Sequence, residues 1–438
     1  MPTPEPASAP APAAEPLTRQ LTVVGLWLLA INGMIGAGIF GVPAEAERLA
    51  AAFSPWVFVL CALLIAPVML CFAVLASAFS GTGGPVLYVG TAFGAFAGFQ
   101  AGWAYYIARM TGFAANLNLL VTTVGYFWPA AAGPALRVGL LLLVGALLTW
   151  INVVGARAAI ASLSALTIVK LLPLVALAGI GLTQLDGSVL AAATAPPAAA
   201  DLGAAVLLVI YAYVGFESSV VPAGEARNPQ HDLPRALLWA LAVAAGLYAL
   251  VQLATRQLVP DLATVERPLV EAGAVLLGPV GAAIVVIGII ASVGANLIGS
   301  MFSTSRISYR LALDGQLPAW FARVHPRHGT PHLSVLFYGA LSVLLAVSGS
   351  FAWLAVLSVL VRLLLYLGCI AAIPAVMRKA PASGHTVRLP GGSALLLLAS
   401  LVCVGLLTQV SLASVLATAG LLAVGCVLFA LARWRLAR

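Results

Sequence analysis

The sequence predicts an all-α polytopic membrane protein with twelve transmembrane helices. Hydrophobic residues make up 62% of the chain and charged residues only 8%. The mean hydropathy of +1.09 lies far outside the range of soluble domains. Apolar segments recur along the whole chain, and each is long enough to cross a bilayer. Composition therefore determines the class of the protein before any motif is considered.

The twelve predicted spans follow the apolar segments in chain order. They are placed at residues 20–44, 54–78, 88–128, 136–155, 159–182, 202–224, 233–256, 273–312, 332–349, 352–378, 393–411 and 413–432. The third and eighth segments are longer than a simple crossing needs, so we expect each to be tilted or to extend into a loop. Residues 1–17, rich in proline and alanine, predict a disordered cytoplasmic tail.

The basic residues predict the direction in which the chain crosses. Of the 21 lysine and arginine residues, three lie near the middle of predicted spans, away from the span ends, namely Arg109, Lys170 and Arg362. Four lie on one side of the membrane, and these are Arg48, Arg137, Arg256 and Arg267. The remaining fourteen lie on the other side, and this asymmetry predicts that both termini are cytoplasmic. Because the charge is scattered among short loops, it does not indicate nucleic-acid binding.

Two predicted helices contain residues that an ordinary membrane helix does not tolerate. The first span carries four glycines within residues 31–41, and each weakens a helix by about 1 kcal/mol relative to alanine. The sixth span carries Gly215 and Glu217 deep in an apolar segment. Backbone groups released by such breaks need partners in hydrocarbon, so each break is expected to line a cavity or a ligand site.

Interruptions in the first and sixth helices predict two five-helix halves of inverted orientation. The halves are placed at 18–182 and 201–378, and two further helices follow within 392–434. An odd number of helices in each half forces the two halves into opposite orientations. At each break, exposed N–H groups favour an anionic group and exposed carbonyls favour a cation. Together the two breaks therefore suit a zwitterion.

Several motifs resemble those of the amino acid–polyamine–organocation (APC) permeases. Residues 36–40 (GAGIF) resemble their unwound first helix, and residues 215–217 (GFE) with 225–235 resemble their sixth helix and its following loop. The loop between helices two and three and the end of helix eight are similar at 81–85 (GTGGP), 306–310 (RISYR), 314–318 (DGQLP) and 329–331 (GTP). The resemblance covers about residues 20–378 and implies the leucine-transporter-type 5+5 inverted repeat with broken helices 1 and 6.

The resemblance also implies a substrate site on named residues. The substrate carboxylate would be bound by backbone groups of Ile35, Gly36, Ala37 and Gly38. The amino group would be bound by carbonyls near Asn32, Gly33, Met34, Tyr211 and Val214. The implied gating aromatics are Tyr105, Tyr211 and Tyr366. Ser300 stands where arginine–agmatine exchangers carry a large aromatic residue, which argues against that specificity and implies a differently shaped pocket.

Lys170, inside the fifth span, is a functional candidate because a charge in the membrane is costly. In sodium-coupled relatives of this fold, a sodium ion bridges helices one, five and eight. In one branch of the amino acid permeases, a helix-five lysine in this sequence setting takes the place of the ion. Lys170 could therefore carry the coupling proton, since desolvation favours a neutral amine, or act as a fixed substitute for sodium. A lysine that extends to the membrane interface is the alternative.

Glu217 and Arg362 are the other charged candidates. Glu217 matches a helix-six carboxylate that senses protons or contacts basic substrates in some family members, and the alternative is a neutral acid that hydrogen-bonds the broken backbone. Arg362 keeps its charge and needs an anionic partner, which could be Glu217, a substrate carboxylate or helix carbonyls. We interpret Arg362 as part of a structural ion pair and treat Arg109 in the same way.

These features predict a secondary active amino acid transporter of the bacterial inner membrane, with proton-coupled uptake. Ser300 and the apolar Phe216 favour small or medium neutral substrates, while Arg362 would also allow acidic ones. An exchanger or a facilitator without ion coupling is the alternative, and a non-transporting membrane sensor is a remote one. The expected partners are the amino acid, protons and the lipid bilayer. The sequence has no phosphate loop, nucleophile elbow or metal-ligand spacing, so we expect no catalysis, cofactor or metal.

Overall fold

A computed structural model describes residues 22–79, 84–155, 163–187, 196–220, 226–379 and 391–436. Every regular element in these ranges is a helix. The α-helices are α1 (Val23–Met34), α2 (Gly38–Ala50), α3 (Ser54–Ser77), α4 (Gly84–Phe93), α5 (Ala95–Val124), α6 (Pro134–Val154), α7 (Leu163–Thr183), α8 (Ala199–Val209), α9 (Glu217–Val220), α10 (Pro229–Leu258), α11 (Pro268–Leu313), α12 (His332–Ser348), α13 (Phe351–Lys379), α14 (Ser393–Leu407) and α15 (Leu412–Leu436). The tail predicted at 1–17 lies outside the described residues, as do 81–83 and residue 225 of the motifs.

The length and hydropathy of the helices are those of a multi-pass membrane protein. Six helical segments of the described part are long and apolar enough to cross a bilayer, namely Gly38–Ser77, Pro134–Val154, His231–Leu258, Pro268–Leu313, Phe351–Arg378 and Leu412–Trp434. Shorter apolar helices lie at Val23–Met34, Gly84–Phe93, Lys170–Thr183, Asp201–Ala212, His332–Ser348 and Ser393–Leu407. A hydrocarbon environment favours helices because each satisfies its own backbone hydrogen bonds.

Large apolar side chains cover the outside of the bundle. Leu143, Trp150 and Trp239 expose 65%, 62% and 66% of their surface, respectively. In water a surface of this kind would drive association, whereas in a bilayer it faces lipid chains. The exposed apolar residues therefore agree with the membrane location that composition predicts.

The centre of the bundle is built around α5, α10 and α13. α5 packs against α13, and α10 packs against α3. The hydroxyl group of Tyr248 on α10 lies 3.0 Å from Met34 O and 3.2 Å from Ala212 O. One buried side chain thus contacts the chain at both places where a helix is interrupted.

Helix boundaries differ from the sequence prediction in three segments. The first predicted span, 20–44, is two helices, and the second of them continues to Ala50. The third divides at Gly94, whose φ of +91° is unfavourable for residues with a side chain. The eighth contains the non-helical residues Leu277 and Gly278, so the chain kinks there. The extra length of the third and eighth segments is thus accommodated by breaks in the helix.

Candidate functional site

The first interruption lies between α1 and α2. α1 ends at Met34, and Ile35 is non-helical, with φ −77° and ψ 82°. The N–H of Ile35 donates to Ile31 O at 2.8 Å, and the N–H of Gly36 donates to Met34 O at 2.9 Å. α2 begins at Gly38, and the first N–H groups of a helix have no partner within it. The break therefore presents N–H donors on its α2 side.

The second interruption lies between α8 and α9. A 3-10 turn at Ile210–Ala212 follows α8, and α9 begins at Glu217. Gly215 between them has φ +107°, which strongly favours glycine. Its N–H donates to Glu217 Oε2 at 2.7 Å. The carboxylate of Glu217 thus satisfies a buried backbone donor that the break leaves without a helical partner.

The two interruptions touch each other at Gly33 and Gly215. A methyl group on either residue would collide with the carbonyl oxygen of the other. The hydroxyl group of Ser218 lies at the same crossing, 3.2 Å from Leu29 O and 2.8 Å from Gly215 O. Close backbone approach therefore explains glycine at both positions.

A cavity of about 40 Å³ opens beside this crossing. Both interruptions form one wall, and α5, α11 and α13 form the other. The lining residues are Gly33, Met34, Gly36, Ala37, Gly38, Arg109, Gly112, Phe113, Asn116, Tyr211, Val214, Gly215, Asn296, Ser300 and Arg362. Of the ten residues predicted to bind substrate, eight line this cavity, and Asn32 and Ile35 do not.

A row of hydrogen bonds crosses the cavity wall from the second interruption. The hydroxyl group of Tyr211 donates to Asn116 Oδ1 at 2.6 Å, and Asn116 Nδ2 donates to Asn296 Oδ1 at 3.1 Å. This row connects the interruption to α5 and α11. Sequence reasoning missed both asparagines, although an amide in the middle of an apolar span is a usable signal because it needs buried partners.

Lys170 on α7 binds the end of α1 and does not line the cavity. Its ammonium group donates to Asn32 O at 3.0 Å, to Ile35 O at 2.7 Å and to the side-chain oxygen of Asn32. Lys170 is only 3% exposed. No carboxylate within the described ranges forms an ion pair with it. Asn32 and Ile35 therefore contact Lys170, and their neighbours in the chain line the cavity.

Glu217, Arg362 and Tyr366 form a buried polar cluster beside the second interruption. Arg362 Nε lies 3.4 Å from Glu217 Oε1, and the Tyr366 hydroxyl group donates to the same oxygen. Arg362 Nη1 also donates to Ala108 O at 3.1 Å and to Ser358 O at 3.2 Å. The carboxylate and helix carbonyls, two of the partners considered for Arg362, thus share its guanidinium group.

Tyr211 lines the central cavity and contacts a residue that lines a second cavity of about 250 Å³. Its ring meets the ring of Phe351 edge-on, with centroids 5.9 Å apart. Phe351 lines the second cavity and covers Gly41, where a methyl carbon would lie 2.5 Å from the ring. Tyr105 and Tyr366, the other aromatics considered as gates, line neither cavity. Phe351 was not recognised from the sequence, which carries no signal for this contact.

Ser300 and Arg109 lie on the wall opposite the interruptions. The hydroxyl group of Ser300 is 3.3 Å from that of Tyr338, which donates to Arg109 O at 3.0 Å. Phe216, considered from the sequence as an apolar pocket neighbour, packs against Phe72 at 5.5 Å between ring centroids and does not line the cavity. The wall facing the interruptions is therefore more polar than the sequence indicates.

The sequence that forms these glycine-rich interruptions matches a known protein family. The family model described as amino acid permease matches residues 21–432, nearly the whole chain. The chain belongs to the amino acid permease family. The resemblance to the APC superfamily seen in its motifs is thereby confirmed. Members of this family and the relatives named below are transporters, and this permease is not an enzyme.

Three relatives illustrate the range of the family. An uncharacterized transporter of Mycobacterium tuberculosis is 29% identical over 354 residues, which cover 75% of this permease and 74% of the relative. A serine/threonine exchanger of Bacillus subtilis is 25% identical over 337 residues, covering 75% and 76% of the two chains. Cationic amino acid transporter 4 of Mus musculus is 27% identical over 358 residues, covering 75% of this permease and 55% of the mouse protein. The relatives support amino acid transport and span different substrate classes.

Proposed function

We propose that this permease is a secondary active transporter that takes up small or medium amino acids by alternating access. The observation that carries the proposal is the meeting of two helix interruptions at Gly33 and Gly215, beside a cavity lined by both. Broken helices at the midplane are the usual substrate site of such transporters.

In the proposed binding mode, the two interruptions hold the constant part of the amino acid. The N–H groups at the start of α2, at Ala37 and Gly38, bind the carboxylate, because a helix N-terminus favours an anion. Carbonyl groups near Met34, Tyr211 and Val214 bind the ammonium group. Ser300 lies on the facing wall, where the substrate side chain would point. The cavity of about 40 Å³ favours a small substrate, and we keep the neutral class that the sequence predicts.

We further propose that the chain crosses the inner membrane twelve times with both termini in the cytoplasm. In this arrangement α1 with α2, α4 with α5, and α8 with α9 each form one crossing. Residues 18–182 and 201–378 are then the two inverted halves, and 392–434 hold the last two helices. The excess of basic residues on one side supports this orientation.

Lys170 is the proposed coupling residue. Taking an ammonium group out of water is costly, and among the described residues only neutral oxygens of Asn32 and Ile35 accept hydrogen bonds from it. Loss of the proton would release the end of α1, so protonation and the geometry of the break are linked. Glu217 is the second candidate, and its contacts to Arg362 and the Gly215 N–H favour a positioning role.

Exchange of one amino acid for another is the competing mechanism. It is supported by the relative named as a serine/threonine exchanger. In an exchanger Lys170 stays charged and holds the end of α1 as a fixed cation. Both mechanisms use the same cavity and differ in what moves with the substrate, which is a proton in the same direction or a second amino acid in the opposite direction.

Uptake into liposomes distinguishes the two mechanisms. The purified permease is reconstituted, and uptake of a radiolabelled amino acid panel is measured with and without an inward proton gradient. Lys170→Met removes the ammonium group while keeping the length of the side chain. Lys379→Met, at the only other lysine of the chain, is the matched control.

Stimulation by the gradient in wild type and Lys379→Met, but not in Lys170→Met, would support proton coupling through Lys170. Uptake that is independent of the proton gradient but requires amino acid inside the liposome would support exchange. If no amino acid is transported under either condition, the proposed function is wrong.

A further inference from the structure

Arg109 on α5 is a charged residue of the cavity wall whose guanidinium group forms no hydrogen bond with the residues that the structure describes. Its Nε atom is buried and has no hydrogen-bond partner. No carboxylate in the described part of the chain lies within ion-pair distance of its guanidinium group. A guanidinium group offers five N–H donors and no acceptor. Because Arg109 lines the cavity, its terminal N–H donors are available to a group that enters it.

Arg362, the other arginine of the same cavity, differs in this respect. It is paired with Glu217 and donates to the carbonyls of Ala108 and Ser358. Its Nε, like that of Arg109, forms no hydrogen bond, but its Nη1 donors are used within the protein and its charge is balanced by Glu217. Two arginines line one small cavity, and among the residues that the structure describes only Arg362 has a carboxylate within ion-pair distance.

The titratable groups around the guanidinium group of Arg109 are the hydroxyl groups of Tyr105, Tyr338 and Tyr211 and the carboxylate of Glu217, and none of them lies within hydrogen-bond or ion-pair distance of it. The Tyr211 hydroxyl group donates to Asn116, and the Tyr338 hydroxyl group donates to the backbone oxygen of Arg109 itself. Neither forms a hydrogen bond with the guanidinium group. Leaving a buried donor unpaired is costly, so a substrate atom that accepts from Arg109 would gain affinity.

We infer that Arg109 determines specificity by donating to an oxygen atom in the side chain of the substrate. The inference rests on the proposed function, in which the interruptions hold the carboxylate and ammonium groups. The side chain of a bound amino acid then points to the opposite wall, where Arg109 and Ser300 lie. Short side chains that carry an oxygen acceptor are preferred to apolar side chains of equal size.

Threonine and valine provide the sharpest comparison, because they have nearly the same shape and only threonine carries the oxygen. A site built to hydrogen-bond a substrate oxygen rejects the analogue that lacks it, by about tenfold or more. We expect wild type to take up threonine with a kcat/KM at least about tenfold above that for valine. Serine should exceed alanine in the same way.

The test measures this ratio in reconstituted wild type, Arg109→Met and Arg109→Lys. Methionine keeps an unbranched apolar stem and removes the guanidinium donors, so the threonine-to-valine ratio should fall to about one. Lysine retains a cationic donor and should restore part of the ratio. Since each ratio is internal to one variant, it does not depend on how much protein folds. Arg137→Met, in α6 and outside this cavity, is the control and should keep the wild-type ratio.

Each outcome supports or overturns the inference. An active wild type that takes up valine as well as threonine, or an Arg109→Met variant with the wild-type ratio, would overturn it while leaving amino acid transport intact. Aspartate uptake that exceeds threonine uptake and loses this advantage in Arg109→Met would support the role of Arg109 and change the substrate class from neutral to acidic. Failure of wild type to transport any amino acid would overturn the proposed function and this inference together.

Discussion

Substitution of Gly33 by alanine tests whether the two interruptions must touch. The added methyl carbon would lie 2.5 Å from Ser218 Oγ and closer still to the carbonyl oxygen of Gly215. The serine side chain can rotate, whereas the carbonyl oxygen belongs to the backbone. The collision is therefore relieved only if α1 and the second interruption move apart.

The expected size of the effect follows from the packing. Overpacking of this kind costs about 1–3 kcal/mol. In a large chain each kcal/mol lowers the melting temperature by roughly 2 °C, so Gly33→Ala should melt roughly 2–6 °C below wild type. If the same free energy is lost from substrate binding, affinity falls about 5- to 150-fold.

Gly36→Ala is the matched control within the same break. A methyl carbon at Gly36 would lie 3.6 Å from Asn296 Nδ2, which is an ordinary contact. This variant should keep the stability of wild type to within about 0.5 kcal/mol. Because Gly36 lines the cavity, substrate affinity should still change.

Thermal melts in detergent and uptake into liposomes are the assays for both variants. The reasoning predicts lost stability only in Gly33→Ala and altered affinity in both. A Gly33→Ala protein that melts and transports like wild type would refute the close approach of the two backbones. Equal loss of stability in both variants would show that any side chain in the break is harmful, whatever its contacts.

Two further predictions concern ion pairs, one of them buried and the other partly buried. Glu217→Gln leaves Arg362 without its counter-charge, so the free energy of unfolding should fall by about 3–5 kcal/mol, and adding Arg362→Met should recover much of the loss. Denaturation of the single and double variants checks this, and wild-type stability in Glu217→Gln would contradict it. Glu47→Gln weakens the 2.8 Å bond from Arg256 Nε and should cost about 1–3 kcal/mol. Glu45→Gln, in a more exposed pair, should cost less than about 1 kcal/mol in the same melts, and equal losses would contradict the role of burial.

The helix interruptions were predictable from the sequence because their signal is local. Glycines within 31–41 and the Gly215–Glu217 pair weaken a helix wherever it packs. In the structure the helix is interrupted at both places, between Met34 and Gly38 and between Ala212 and Glu217. Most of the residues predicted around these interruptions line one cavity, because they belong to the interrupted segments themselves.

The partners of the buried charges were not predictable in this way. The sequence indicated that Arg362 needs an anion and left three candidates open. Its contact with Glu217 depends on how two helices distant in sequence pack side by side. Arg109 and Arg362 both looked like structural charges, yet only Arg362 has a carboxylate beside it among the described residues.

The sequence by itself determined a membrane protein of apolar helices with two glycine-rich interruptions, because hydropathy and helix propensity are properties of short segments. Tertiary structure decided which polar groups meet across these helices. It brought Lys170 to the end of α1, packed Tyr211 against Phe351, and placed Arg109 on the cavity wall with no hydrogen bond from its Nε to the described residues. Such contacts depend on how helices rotate and cross. The packing therefore decides whether a buried charge has a partner that offsets its loss of hydration.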